Sequence, residues 1–542
     1  MDSLEENRPF GKRLLTKILD ERAKRTPDRV FAEIPRGQTL EDGFRNFTYA
    51  EMANSVNVMA NWLSNELEQD PESRREPVPY IGPNDLRYIL IFYAAQKIGR
   101  AMLIPLRYNS PEAQISLIQQ SKSKRLFSSS CSKALWQPTL TALNIAYSEV
   151  PPLDFFLHHD PVPAVPSTQT WDEVKDEYAL ILQSSGTTGT PKILPWTYTA
   201  WARQDAFHGF ADKMVIPSIY HAGSRVIIAQ DMSWGVAIFI GGSFPIWYDV
   251  VPIFLPPDSP SPMTADYLYR AHKTANPSIA MFIPTLLRDA VRDEKRRDIF
   301  PPLEALTYAG APLDTTTGDI LETMTKVRSA IGSTELGIHP HLCPTDPPHW
   351  SYLNFAISYE GYELRSFIVQ DQIYEMVVVK QGSEDRRPCF LLNPDVQVYS
   401  TNELWQQHPT EKGWFKMIGR ADDFVKLSSM TKFNAAEIER WIGEAEHVET
   451  CLVGGDEKSS SFVIIQPKQN GDGQPKENDH GLDKIWETVE RINERIFPEA
   501  RLKREFVIIA NEKKIVRTAK DTVGRKATLK LFEDEIEHLY RR

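Results

Sequence analysis

The run Ser184-Ser185-Gly186-Thr187-Thr188-Gly189-Thr190-Pro191-Lys192 packs hydroxyls, glycines and one lysine into a single turn behind an apolar stretch. Glycine lets backbone N–H groups approach phosphate oxygens closely, Ser and Thr add hydroxyl donors, and Lys192 offers a point positive charge. The chemistry such a turn suits is polyphosphate binding. It is not a Walker A loop: Lys192 follows Pro191 rather than Gly and precedes Ile193, leaving no hydroxyl where that motif holds its metal ion. Taken alone, the same residues also make a Gly/Thr hairpin on the surface.

The elements that would position this turn alternate between helical and strand signals, which favours an α/β architecture. Residues 178–182 read as a buried strand leading into the turn. Thr48 and Glu51 form a capping box before an apolar periodicity through Met59, Trp62 and Leu63, predicting a helix over 49–67. The apolar run 88–92 fits helix or strand by its length. Residues 151–170 and 468–480 read as loops. After Arg420 the pattern becomes a compact series: strand 424–427, helix 435–444, strands 450–453 and 462–466, helix 484–496, strand 505–509 and a last helix from about 522. This predicts a small α+β domain after a large body, with the division at 1–421 and 422–542.

The chain has 542 residues and a formal charge of -11, which argues against a generic nucleic-acid binder. Its four cysteines, Cys131, Cys343, Cys389 and Cys451, include no CxxC pair, so neither a disulfide framework nor a structural zinc site is expected. The acidic start lacks the apolar stretch of a secretory signal. Residues 234–247 are the most apolar segment and are too short for a bilayer span, so they read as buried core. A cytoplasmic location without membrane or nucleic-acid partners is the expectation. His339, His341 and Cys343 (HPHLC) fit no four-ligand zinc spacing and read as a loop.

The phosphate turn resembles the SGTTGxPK segment of the adenylate-forming (AMP-binding) superfamily, which includes acyl-CoA ligases, luciferases and adenylation domains. Further motifs follow in that family's order, over about 14–539. Tyr308-Ala309-Gly310-Ala311-Pro312-Leu313 is similar to the segment walling the adenine pocket, and Ile331-Gly332-Ser333-Thr334-Glu335 to Tyr-Gly-x-Thr-Glu. Ser400-Thr401-Asn402-Glu403-Leu404 resembles Thr-Gly-Asp-Leu, and Gly419-Arg420-Ala421-Asp422-Asp423 the Gly-Arg-x-Asp-Asp junction.

The resemblance implies a fold with a large N-terminal body of α/β subdomains and a small mobile α+β C-terminal domain. It implies ATP and Mg²⁺ as cofactors. By position, Ser185, Gly186, Thr187, Thr188, Gly189 and Lys192 would hold phosphate; Gly310, Ala311, Pro312 and Ile331 the adenine; Glu403 and Arg420 the ribose. Thr334 would meet the α-phosphate, Glu335 would hold Mg²⁺, and Asp422 would be the hinge.

The segment Arg517 to Lys526 is most like the fungal nonribosomal-peptide-synthetase-like enzymes of the carboxylate reductase type. In acyl-CoA ligases the catalytic lysine would align with Thr522; here Lys520 is the candidate, with Lys526 second. Other departures are Ile331 at a usually aromatic position, Glu403 for Asp, and Met430 for a glycine. The implied reaction activates a carboxylic acid to an acyl-adenylate with release of pyrophosphate. A phosphopantetheine thiol, of a carrier protein or CoA, would then accept the acyl group.

Amino-acid-activating members anchor the substrate ammonium on an Asp whose position falls on Trp234; Asp231 would serve only with the register moved by three. An aryl or α-keto acid is therefore favoured, in a pocket containing Trp234, Gly235 and Phe239 with Phe244 beside them, while at least two of the three aromatics Trp234, Phe239 and Phe244 read as plain core. An amino-acid substrate, a catalytically impaired nucleotide-binding module, and a kinase releasing ADP stay as alternatives. So do a stand-alone enzyme and a part of a larger protein.

Overall fold

The computed structural model describes residues 4–67, 76–184, 191–210, 214–260, 262–343, 347–355, 359–369, 371–429, 431–445, 447–468, 480–494, 496, 498–511, 513–517 and 523–541. Among the described residues, three large sheets and a two-stranded one, Gly332–Ser333 with Gly337–Ile338, build the part up to Arg420. The first has six strands in the order Ala146–Glu149, Arg125–Ser128, Val78–Ile81, Met102–Leu103, Tyr178–Ser184 and Lys192–Thr197, parallel except for the last pair. The second has seven, in the order Val327–Ser329, Ala305–Tyr308, Ile279–Phe282, Arg225–Ile227, Val251–Ile253, Val30–Pro35 and Phe44–Thr48, again antiparallel only at the last pair. Strands such as Ile279–Phe282 and Ala305–Tyr308 are buried at every residue. Sheets covered on both faces select such unbroken apolar runs.

The third sheet is antiparallel: His341–Leu342, Tyr352–Phe355, Trp414–Arg420, Val398–Gln407, Ile373–Val379 and Tyr362–Ile368. Beyond it, a hairpin of Phe424–Lys426 and Lys432–Asn434 leads into a three-stranded sheet of Val448–Gly454, Phe462–Pro467 and Val507–Ile509 with its own apolar core. Helices Ala435–Gly443 and His480–Asn493 pack there, and the last helical region divides into Arg525–Leu531 and Glu533–Tyr540 at Phe532.

The capping box forms as the sequence requires. Thr48 Oγ1 accepts the Glu51 N–H at 3.2 Å while the Glu51 carboxylate accepts the Thr48 N–H at 2.7 Å, starting the helix Tyr49–Glu66. The run 88–92 is helical, inside Arg87–Lys97, a helix buried all round. Residues 234–247 are core, broken into Gly235–Ile238, a π-helical turn Phe239–Ser243 and Phe244–Trp247. Among the described residues no helix is long and apolar enough to cross a membrane.

Candidate functional site

Parallel sheets gather loops at the carboxyl ends of their strands, which is where such folds bind ligands. Strands Ala305–Tyr308 and Val327–Ser329 are neighbours, and Ala330 donates its N–H to Tyr308 O at 2.8 Å. The turns that leave them therefore lie side by side: Gly310-Ala311-Pro312, exposed, from the first, and Ile331, half-buried, from the second. Gly310 has a φ of +93°, a conformation glycine adopts without strain. Ile331 packs its side chain against the core of the antiparallel sheet rather than lying free.

Thr334 and Glu335 sit in the tight connection between the short strands Gly332–Ser333 and Gly337–Ile338, both half-buried. Gly337, at φ +77°, allows that return; a Cβ there would lie 2.9 Å from Trp196 and 3.0 Å from Gln204. Glu335 O accepts the Cys389 N–H at 3.2 Å, tying the turn to the short helix Pro388–Leu392. Its carboxylate makes no ion pair among the described residues.

A bulge aims Glu403. Glu375 pairs with Leu404 and Val377 with Ser400, so Thr401, Asn402 and Glu403 stand opposite the single residue Met376. Asn402, where the family has glycine, takes φ +58°, a region asparagine tolerates better than most residues. Thr401 Oγ1 donates to Met376 O at 2.7 Å and accepts the Glu403 N–H at 3.1 Å. Glu403 emerges only 6% exposed. Across the ladder it pairs with Arg420, which is exposed; Arg420 Nη2 lies 3.9 Å from Asp422, and its N–H donates to Asp423 at 3.2 Å. Tyr399, on the Glu403 strand, reports the shared field: burial and the charge of Glu335, with a smaller contribution from Glu403, push its phenol well up, and Arg420 opposes them.

The HPHLC segment is a loop only in part: His339, Pro340 and Cys343 lie outside regular elements, but the segment is not an exposed one. His339 and His341 are buried, and His341–Leu342 is an edge strand of the antiparallel sheet. His339 donates its N–H to Ile331 O at 3.0 Å, and its Nε2 lies 3.2 and 3.4 Å from the two Glu403 oxygens. Burial holds His341 below the usual histidine range, partly offset by His339 O and Ser329 O at 2.8 and 2.7 Å. Among the described residues no three His, Cys, Asp or Glu side chains form a metal cluster. A lone carboxylate such as Glu335 does suit Mg²⁺, which takes one or two carboxylates and completes its shell with phosphate and water.

Other candidates lie apart. Lys192 is exposed at the start of its strand, whereas Ser185, Gly186, Thr187, Thr188, Gly189 and Lys520 lie outside the described residues, as do Met430 and Thr522. Trp234 is half-buried before Gly235, and a Cβ on Gly235 would meet Leu182 at 2.6 Å. Phe239 stacks on Trp201 at 3.8 Å between centroids, with the planes 4° apart, so one face of its ring is taken by the core; Phe244 is core as well. Asp231 Oδ1 accepts from Ser233 N and Oγ at 2.9 and 2.7 Å, whereas its buried Oδ2 has no hydrogen-bond partner among the described residues and lies 3.8 Å from Arg107. Sequence reasoning missed Tyr399, Tyr362 and Arg107, and it noticed His339 without seeing its partner 64 residues away.

Comparison with known proteins places these features in context. The family model described as AMP-binding enzyme matches residues 19–357, and the one described as AMP-binding enzyme C-terminal domain matches 422–542. The chain is 27% identical to a carboxylic acid reductase of Neurospora crassa, over 99% of this chain and 51% of the relative. It is 28% identical to an isocyanide synthase-NRPS hybrid of Aspergillus fumigatus, over 98% and 34%. The chain thus spans about half or less of these curated relatives. Among solved structures it superposes on an anthranilate CoA ligase in complex with anthranoyl-AMP with a TM-score of 0.71, 15% identity and 98% of each chain. It also matches ATP-bound MatB from Rhodopseudomonas palustris with a TM-score of 0.70, 15% identity, and 96% and 99% of the two chains. At such identities the structural likeness establishes the fold.

Proposed function

The chain belongs to the AMP-binding enzyme family, and from that premise we propose that it activates an aryl or α-keto acid as its acyl-adenylate, releasing pyrophosphate from ATP. Division at 421/422 gives a body and a mobile domain that closes on it. The observation that best supports the reading is the convergence of three separately spaced segments on one corner: the turn after Tyr308, the connection at Thr334 and Glu335, and the bulge that carries Glu403, across the ladder from Arg420.

In this reading residues 185–192 receive the outer phosphates. Gly310, Ala311, Pro312 and Ile331 border the base, while Glu403 accepts from the ribose hydroxyls beside Arg420. Thr334 donates to the α-phosphate, and Glu335 is the residue that would hold Mg²⁺, whose charge would offset that of the phosphates. Lys520, brought in by the C-terminal domain, stabilises the negative charge that builds as the carboxylate attacks. The protein's share of catalysis is orientation and charge stabilisation. The acyl-AMP is then open to a phosphopantetheine thiol.

What supports an acid without an α-ammonium is Trp234 at the position where amino-acid-activating members carry their aspartate, because a buried ammonium needs a paired carboxylate. The test is acid-dependent exchange of labelled pyrophosphate into ATP across aryl, keto and amino acids. Exchange with aryl or keto acids that is lost in Lys520→Ala is the expected result. Release of ADP, or no exchange with any acid, overturns it. ATP binding without exchange, unchanged by Lys520→Ala, favours instead a nucleotide-binding module without catalysis, a reading that the departures at Ile331 and Glu403 support.

A further inference from the structure

Behind Glu403 the structure holds a buried chain of three side chains. Tyr362 is 2% exposed and His339 not at all; Tyr362 Oη is 3.2 Å from His339 Nδ1, and His339 Nε2 is 3.2 and 3.4 Å from the Glu403 oxygens. The groups are complementary along the chain. A carboxylate accepts a hydrogen from Nε2, and Nδ1 pairs with the Tyr362 hydroxyl, which can donate or accept as the ring requires. Every polar atom of the chain is thereby used, which a buried network requires. The same histidine donates its backbone N–H to Ile331 O, at the base side of the corner.

Glu403 is one methylene longer than the aspartate of the family pattern and has one more rotatable bond to fix. Ordering a free glutamate on binding costs rotamer entropy. From this geometry we infer that His339, itself oriented by Tyr362, is a positioning residue for Glu403: it takes one face of the carboxylate and presents the remaining lone pairs to the vicinal hydroxyls of the nucleotide ribose. The inference rests on the reading that Glu403 meets the ribose. His339 touches neither base nor phosphate in this arrangement, so its effect is confined to ligands that carry the diol.

The experiment compares the affinity of the full chain for ATP and for 2′,3′-dideoxy-ATP, both with Mg²⁺, by calorimetry. A positioned carboxylate hydrogen bond is worth roughly tenfold or more in affinity, so the unaltered chain should prefer ATP by about tenfold. His339→Leu should weaken ATP about tenfold, leave dideoxy-ATP within twofold, and so erase the preference. Tyr362→Phe, which keeps the ring and removes only the hydroxyl, should reduce the preference about threefold, and it serves as the readout if His339→Leu does not fold. Glu403→Gln is the control for the underlying reading. If Glu403→Gln erases the preference while His339→Leu or Tyr362→Phe leaves it intact, the positioning role is wrong and the ribose reading stands. If Glu403→Gln keeps the preference, the ribose reading itself fails. A loss for both nucleotides by the same factor marks His339 as merely structural and also overturns the inference.

Discussion

Glu403 and Arg420 face each other across one rung of the antiparallel sheet, yet their surroundings are opposite. Glu403 is 6% exposed, aimed by a bulge and backed by His339. Arg420 is 50% exposed, with only Asp422, at 3.9 Å, for an ion pair among the described residues. The next elements repeat the contrast. Asn434 Nδ2 donates to Ile418 O at 2.6 Å across the joint, and Arg525 spans Asp423 at 3.6 Å and Glu439 at 2.6 Å, both inside the C-terminal part. A fixed corner can be preorganised for a nucleotide because burial locks its rotamers. The joint proposed at Asp422 would have to change partners, and exposed charges, whose pairings cost little to break, suit that role.

The largest way to test this contrast is at the corner. Glu335→Gln should lower the rate of pyrophosphate exchange in Mg²⁺ by about 100-fold or more, the usual cost of removing a preorganised electrostatic group, with an unchanged far-UV spectrum. A rate within threefold would take Glu335 out of the site.

Next in size is pH. Burial holds His272 down to about 4 and His341 below the usual range. Below pH 6.5 the unfolded chain binds these protons and the native state does not, so stability falls as pH drops. For His272 alone the loss between pH 7 and 4 is about 3 kcal/mol, at about 1.4 kcal/mol per tenfold. Urea unfolding of His272→Leu should show a correspondingly flatter decline; an identical slope would mean that this ring does not control it.

The smallest effect belongs to the joint. Asp422→Asn should change unfolding free energy by less than about 0.5 kcal/mol, as for other exposed pairs. A change above about 2 kcal/mol would show the joint to be rigid and the contrast false.

The elements legible in the sequence were those set by local rules. The capping box at Thr48 begins the expected helix, and the strand before the phosphate turn runs Tyr178–Ser184. The C-terminal series appears in its expected order, with the helix expected over 484–496 found at His480–Asn493. The apolar run at 88–92 could not be assigned because a fully buried helix and a buried strand have the same composition. HPHLC looked like a loop because polar residues usually lie outside. Burying His339 costs little only because Glu403 and Tyr362 satisfy both ring nitrogens.

Residue types and spacing alone therefore determined the family and the order of its motifs, since a run of hydroxyls, glycines and charges at fixed spacing is legible whatever the fold around it. Only the tertiary structure decided which carboxylate is held and which charge is left free, because that depends on burial and on partners distant in the chain: His339 behind Glu403, solvent around Arg420.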